Sequence, residues 1–210
     1  DLDITKKFLD TLYKNTDDFS LIMIANGSND ETLSELYDLA TQKNNMSLSH
    51  NERNNGCIGG RNQGYRMSCS FSKKSKYICF LDNDQFVSKG WLEQHLAVLQ
   101  RYDVVGAEAW FIHPQTLLPC RHNTKLTEEF SYVGCGGMLI KRNVIEHVGL
   151  FDEDLEKNFS YYEDPDLCFR AHNAGYRIGW NFKAGIVHKQ QSTVVDNEEK
   201  KKRFLKNYEI

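Results

Sequence analysis

A chain of 210 residues without a Pro-, Gly- or Ser-rich linker has room for one α/β domain around a single core, and one domain over 1–210 is expected. Its net charge is −3 and its Lys and Arg residues are dispersed outside the tail, which argues against nucleic acid as a partner. No apolar run reaches about 18 residues and the charged start is not a signal peptide, so a soluble domain is expected, with membrane attachment open only through sequence outside this chain.

Hydrophobic periodicity then predicts the elements in order. Ile4, Phe8, Leu9 and Leu12 mark a helix over 4–15, followed by a strand at 20–25 and a turn at 26–30. A second helix over 31–43 carries Leu33, Leu36, Leu39 and Ala40 on one face, with Asn29 or Asp30 as its cap. A short strand at 46–49 and a glycine-rich turn at 56–60 lead into a third helix ending near residue 70. The run at 76–81 is apolar throughout, as suits a central parallel strand buried on both faces. A helix over 89–101 and a strand over 104–108 follow. Alternation fails at 109–130, where Pro114 and Pro119 predict a hairpin or long loop. A strand at 134–140, a helix at 141–147, a helix from Pro165 to about Gly175, and strands near 176–180 and 184–188 complete the domain. The tail at 196–210 reads as a charge-rich helix or frayed end. The expected fold is α/β, a mixed and mostly parallel sheet flanked by helices. The six cysteines are scattered without C-x-x-C spacing and read as reduced core residues of a cytoplasmic protein, at most at the cytoplasmic face of a membrane.

Two acidic clusters carry the chemistry. Asp82-Asn83-Asp84 closes the apolar strand, and ligands in open α/β sheets gather outside the carboxyl ends of strands. Two hard oxygen donors there can hold a divalent cation, although Asp-Asn-Asp is equally ordinary turn chemistry. Glu163-Asp164 stands before Pro165 at a helix start. A carboxylate in that place can be a general base, and it can as well be a simple N-cap, with Asp166 and Arg170 an ordinary i,i+4 ion pair. A capping carboxylate would have a lowered pKa and be a weaker base. The glycines at 56, 59 and 60 match neither the G-x-G-x-x-G nor the P-loop spacing, so dehydrogenase and P-loop chemistry are disfavoured.

The ordered set of motifs resembles the family-2 glycosyltransferases. It comprises Asn26-Gly27-Ser28-Asn29-Asp30-Glu31-Thr32, then Asn55 through Arg61-Asn62-Gln63-Gly64, Asp82-Asn83-Asp84, Gly136-Gly137-Met138-Leu139-Ile140, Val148-Gly149-Leu150-Phe151-Asp152-Glu153, the Glu163-Asp164 pair with Asp166, Leu167 and Arg170, and His188. The resemblance implies a GT-A fold, with a nucleotide-binding half over about 1–108 and an acceptor and catalytic half over about 109–195. It implies metal-dependent inverting transfer from a nucleotide-diphospho-sugar, UDP-linked before GDP- or dTDP-linked, to a hydroxyl of a glycan, lipid-linked glycan or protein, in polysaccharide or glycan assembly. By the same resemblance Asp84 and His188 would bind Mn²⁺ or Mg²⁺, with Asp82 at the ribose or a metal-bound water and Asn83 beside it. Asn26, Ser28, Asp30, Arg61 and Asn62 would form the nucleotide pocket, and Asp164 would be the base. Glu163, Gly136 and Gly137 would meet donor or acceptor sugar, and Trp110 and Trp180 would be stacking platforms or core residues.

Two departures stand out. The chain opens in what resembles the segment after the family's usual first strand, and Ala25 stands where many relatives carry an aspartate. A noncatalytic sugar-nucleotide or glycan-binding module is therefore the alternative. A sugar nucleotidyltransferase is less favoured because no basic glycine-rich N-terminal loop is present. Acceptor choice is expected in 109–132 and 150–162, where regular pattern gives way to loops.

Overall fold

The computed structural model describes residues 1–71, 75–115, 119–121, 130–157 and 162–189. Helices and strands alternate through the first half as α1 (Leu2–Asn15), β1 (Leu21–Asn26), α2 (Asp30–Thr41), β2 (Met46–Asn51), α3 (Gly56–Phe71) and β3 (Tyr77–Phe80). After β4 (Gln85–Val87), α4 (Trp91–Leu99) and β5 (Val104–Gly106) come four short strands, β6 (Ala109–Ile112), β7 (Pro119–Arg121), β8 (Tyr132–Val133) and β9 (Met138–Lys141). The chain continues through α5 (Arg142–Val148), α6 (Glu153–Lys157), α7 (Glu163–Asn173), β10 (Ile178–Trp180) and β11 (Ile186–His188). The charged tail at 196–210 lies outside the described residues.

Local chemistry explains several boundaries. The Asp1 carboxylate accepts from Asp3 N at 3.1 Å and caps α1, whose Phe8, Leu9 and Leu12 form the buried stripe. Of the two candidate caps for α2, it is Asn29 that accepts from Thr32 N, at 3.0 Å. Gly90, at φ 81°, turns the chain into α4.

The main sheet has the order β10-β5-β9-β3, with β9 antiparallel between β5 and β3, so β3, β5 and β10 run one way. β1 pairs in parallel with β2 as a separate ribbon. The expectation of a central strand at 76–81 needs correction. β3 bonds only to β9 among the described strands, its neighbour is antiparallel, and Tyr77 is 38% exposed. Apolar composition marks a place between helices, but it does not specify which backbones lie alongside.

The expected hairpin at 109–130 is a three-stranded antiparallel sheet, β7-β6-β8, in which Trp110 pairs with Tyr132. The β4 and α6 elements are additions to the sequence reading. β4 matters because it pairs antiparallel with β11 and sets His188 opposite Gln85. The main core gathers β5, β8, β9, α5 and α7 around Val104, Val133, Met138, Ile140 and Leu167. Cys135 and Cys168 belong to it, whereas Cys57 and Cys120 are exposed, contrary to a uniform core role. No helix among the described residues is long and apolar enough to cross a membrane.

The tightest contact in this core is at Gly106, where an added Cβ would overlap the Val133 side chain. Both residues lie in buried strands, so neither can yield cheaply. Gly106→Ala should lower unfolding free energy by about 1–3 kcal/mol in urea denaturation. An unchanged midpoint would show that the strands separate freely.

Candidate active site

The turn after β3 is closed by its own side chains and backbone. Asp82 N donates to Gln85 Oε1 at 2.9 Å, and Gln85 N donates to Asp82 O at 3.1 Å. This turn chemistry leaves the Asp82 and Asp84 carboxylates available for other partners. The β4–β11 ladder and a bond from Lys189 N to Asp84 O at 3.0 Å bring His188 beside them. His188 Nε2 lies 2.9 Å from Asp84 Oδ1, and Asp82, Asp84 and His188 each offer a donor atom within 4.8 Å of the others. Two carboxylates and an imidazole in that compass fit a divalent cation such as Mn²⁺.

The second acidic cluster comes from α7. The helix begins at Glu163, two residues before Pro165, and Tyr162 precedes it without a side-chain capping bond. Asp164 is therefore inside the first turn and is not the N-cap. Along α7, Leu167, Cys168 and Ala171 are buried, while Ala174 is exposed and ends the helix. Asp166 and Arg170 form the anticipated ion pair at 2.7 Å, and Arg170 also donates to the carbonyls of Val148 and Leu150.

Arg61, from α3, joins the clusters. Its guanidinium lies 3.2 Å from Asp82 Oδ1, 3.4 Å from Glu163 Oε1 and 3.7 Å from Asp164 Oδ1. Glu163 Oε2 and Asp164 Oδ1 are nevertheless buried without a hydrogen-bond partner. Burial, reinforced by the charge of Glu163, pushes the Asp164 carboxyl up to about 6, against the opposing pull of Arg61 and hydrogen bonds from Cys135. The expectation for a capped carboxylate, a lowered pKa, is thus reversed.

Two glycines let the chain pass close to this centre. A Cβ on Gly136 would stand 2.8 Å from Asp82 Oδ2 and 2.7 Å from Gln85 Nε2. Gly137 has φ 80°, and its Cβ would meet Ala107 at 2.9 Å. Gly134 lies between Trp110 and Asp164, with space for a Cβ only 3.3 Å from the indole Nε1 and 3.8 Å from Asp164 Oδ2. Trp110 therefore borders Asp164. Trp180 packs against the core, donates to Ala107 O at 3.3 Å and meets Phe130 and Phe182 edge-on.

Other expected site residues do not converge here. Asn62 is 1% exposed and binds both the carbonyl and the amide of Phe151, so it fastens α3 to the loop before α6. Asn26 donates to Asn54 Oδ1 and Gly56 O and accepts from Asn51 and Asn55, which commits its amide to the protein. Asn83 donates to Thr5 Oγ1 at 2.7 Å and anchors α1. Ser28 lines a cavity beside β1, and Asp30 is exposed at the start of α2.

Two supporting residues escaped the sequence reading. Gln85 is 2% exposed and holds the acidic turn, as described above. His95 is fully buried: Asn181 Nδ2 donates to its Nδ1 at 2.9 Å, which leaves Nε2–H to donate to Gly137 O at 2.9 Å. Burial lowers the His95 pKa and keeps it neutral. The signal for His95 was present: it occupies the buried stripe of α4 between Trp91 and Leu99.

Solved structures share this α/β fold, with its acidic turn at a strand end and its acidic helix start. A mannosyltransferase from Pyrobaculum calidifontis, in complex with GDP-Man and Mn²⁺, matches 99% of this chain and 61% of its own at TM-score 0.71 and 14% identity. GalNAc-T7 with UDP, GalNAc and Mn²⁺ matches 81% of this chain and 38% of its own at TM-score 0.61 and 17% identity. The fold is GT-A. Residues 2–149 match the model of Glycosyl transferase family 2, and the chain belongs to that family. Among curated relatives, the amylovoran biosynthesis glycosyltransferase AmsB of Erwinia amylovora is 25% identical over 150 residues, covering 65% of this chain and 47% of that protein. A pre-mycofactocin glycosyltransferase of Mycobacterium tuberculosis is 26% identical over 169 residues, covering 72% and 34%. The chain thus spans less than half the length of these relatives.

The raised Asp164 pKa has a consequence for stability. The folded carboxyl holds its proton up to about pH 6, whereas the unfolded one releases it near 3.8, so folding takes up a proton between those values. Stability from this group is complete below about pH 4 and falls by up to about 3 kcal/mol as pH rises through 6. Asp164→Asn should therefore gain stability over wild type at pH 8 but not at pH 4 in urea unfolding. A difference independent of pH would contradict the assignment.

Proposed function

We propose that this chain is the catalytic domain of a metal-dependent inverting glycosyltransferase, moving a sugar from a nucleotide-diphospho-sugar to an acceptor hydroxyl. The observation that carries the reading is the convergence of Asp82, Glu163 and Asp164 on Arg61, with Asp84 and His188 paired next to Asp82. Four carboxylates against one guanidinium leave a formal charge of −3 when His188 is neutral and Asp164 ionised (−4 + 1). A diphosphate would be repelled from such a site without a cation. Asp84 and His188, with Asp82 alongside, would hold Mn²⁺ or Mg²⁺. A cation bound there compensates the charge that develops on the departing diphosphate.

The remaining work falls to the protein. Asp164 accepts the acceptor hydroxyl's proton as the new bond to the anomeric carbon forms and the bond to the diphosphate oxygen breaks. One displacement inverts the configuration. A base with a pKa near 6 is mostly ionised at neutral pH yet retains proton affinity, the compromise that general-base catalysis needs. Glu163 binds an acceptor hydroxyl, and Gly136 and Gly137 admit the donor sugar close to the backbone. Arg61 keeps Asp164 oriented and limits the rise in its pKa. Ser28, in the turn after β1, and Asp30, at the start of α2, face the nucleotide. UDP-sugars are the first donors to test, ahead of GDP- and dTDP-sugars, and the acceptor is a glycan, lipid-linked glycan or protein. Similarity to the amylovoran enzyme supports a place in polysaccharide assembly.

Calorimetry with UDP- and GDP-sugars, with and without Mn²⁺, tests the donor and metal assignments together. Donor binding should require Mn²⁺ and weaken at least about tenfold in Asp84→Asn and His188→Ala, whose ligand sets are incomplete. Binding unaffected by chelator would refute the metal role. Asp164→Asn should bind donor normally and transfer about 10²- to 10⁴-fold more slowly, and wild-type transfer should rise as pH increases through about 6. Wild-type turnover in that variant would refute the base.

A further inference from the structure

A buried imidazole costs desolvation that an apolar side chain would not, yet α4 carries one, the fully buried His95, between Trp91 and Leu99. Both ring nitrogens have partners in distant parts of the chain. Asn181, itself buried, accepts from Lys183 N on its Oδ1 at 3.2 Å, so its Nδ2 is the atom that donates to His95 Nδ1 at 2.9 Å. With Nδ1 accepting, the neutral ring carries its proton on Nε2 and donates to Gly137 O at 2.9 Å. The direction of both bonds is thus set by the turn at Asn181, which opens the loop leading to β11 and His188.

The segment that receives the His95 bond touches both acidic clusters. Met138 N donates to Cys135 O at 2.9 Å, closing a β-turn whose third residue, Gly137, has the positive φ of 80° found there in a type II turn. At the first residue, Cys135 hydrogen-bonds the Asp164 carboxylate. At the second, Gly136 lies so close to Asp82 that a Cβ would stand 2.8 Å from Oδ2. At the third, Gly137 N donates to the carbonyl of Phe80, the last residue of β3, and a Cβ there would meet Ala107 and Ile186. Four residues therefore join the end of β3, the candidate base and the strand that delivers His188. Two adjacent glycines are pliant backbone, and the His95 bond fixes the direction of a carbonyl in their midst.

We propose that His95 is a positioning residue: by holding the Gly137 carbonyl it sets the turn at 135–138 against Asp82 and Asp164 together, and so aligns the donor sugar with the base. Asn181 acts through it by fixing the ring's tautomer. The role rests on the transferase reading of this site. His95 lies beneath the turn and works by alignment, where a displacement of about 1 Å in a reacting group can slow a reaction about 10²-fold. Asp84 and His188 are held by the β4–β11 ladder, to which His95 does not bond, so metal affinity should not follow the loss.

Two variants of different reach test this. His95→Gln keeps a donor at the reach of Nε2, whereas His95→Asn keeps an acceptor at the reach of Nδ1 and loses the bond to Gly137. With water as acceptor and whichever UDP- or GDP-sugar binds wild type as donor, hydrolysis should slow about 10²-fold in His95→Asn and less than about threefold in His95→Gln. The Kd values for UDP and Mn²⁺ should change less than about threefold in both. A carbon-13 titration of Asp164, run without sugar, should give a higher midpoint in His95→Asn, because a displaced turn withdraws the Cys135 bonds that favour ionisation, and an unmoved one in His95→Gln. Nitrogen-15 shifts of the wild-type ring should show the neutral Nε2–H tautomer. An Nδ1–H ring, a folded His95→Gln variant slowed about 10²-fold, or an Asp164 midpoint that His95→Asn leaves unmoved would each overturn the assignment. If wild type binds no UDP- or GDP-sugar with Mn²⁺, the functional reading fails; the ring tautomer and the Asp164 midpoints, read without sugar, still decide whether His95 sets the turn.

Discussion

The site depends on one guanidinium. Arg61 enters from α3 in the first half of the chain and meets Asp82 at the end of β3 and the Glu163–Asp164 pair at the start of α7. Removing it would leave three carboxylates facing one another in a partly buried space, where like charges and desolvation both oppose ionisation. The geometry of the acidic turn and that of the candidate base are therefore set together. Buried ion pairs are weak evidence of stability, because desolvation offsets much of the attraction. What Arg61 supplies is placement: it holds two acidic groups from distant parts of the chain within reach of one small molecule.

Around that contact the fold supplies rigid supports. Gln85 ties the turn to its own backbone, the β4–β11 ladder delivers His188, and the neutral His95 bonds the carbonyl of Gly137 from beneath. Each is a buried or laddered group with its polar atoms satisfied, the condition under which a polar interior specifies one arrangement. The glycines at 136 and 137 then allow a backbone where any side chain would collide with the acids or with Ala107.

Much of this was legible in the sequence, and the failures have physical causes. The helices and most strands follow from period and caps, and the acidic motifs fall where strand ends and helix starts place them. Strand pairing was not legible, because an apolar run such as 76–81 records burial and not the identity of its neighbours. The protein partners of the asparagines were not legible for a related reason. Asn26 and Asn62 satisfy buried backbone and side-chain groups, and their side chains carry the same donors and acceptors whether the partner is a nucleotide or Phe151. The direction of the Asp164 pKa was not legible, because it depends on whether the helix starts at Glu163 or at Pro165. Two residues of difference turn a hydrogen-bonded cap into a buried carboxyl beside Glu163.

Arg61 and burial together set the proton affinity of Asp164. A carbon-13 carboxyl titration of Asp164 by NMR, in wild type and in Arg61→Gln, measures it directly. A midpoint near 6 is expected in wild type and a higher one in the variant, since the guanidinium opposes the rise. A wild-type midpoint near the ordinary carboxylate value, or one that Arg61→Gln leaves unmoved, would contradict it.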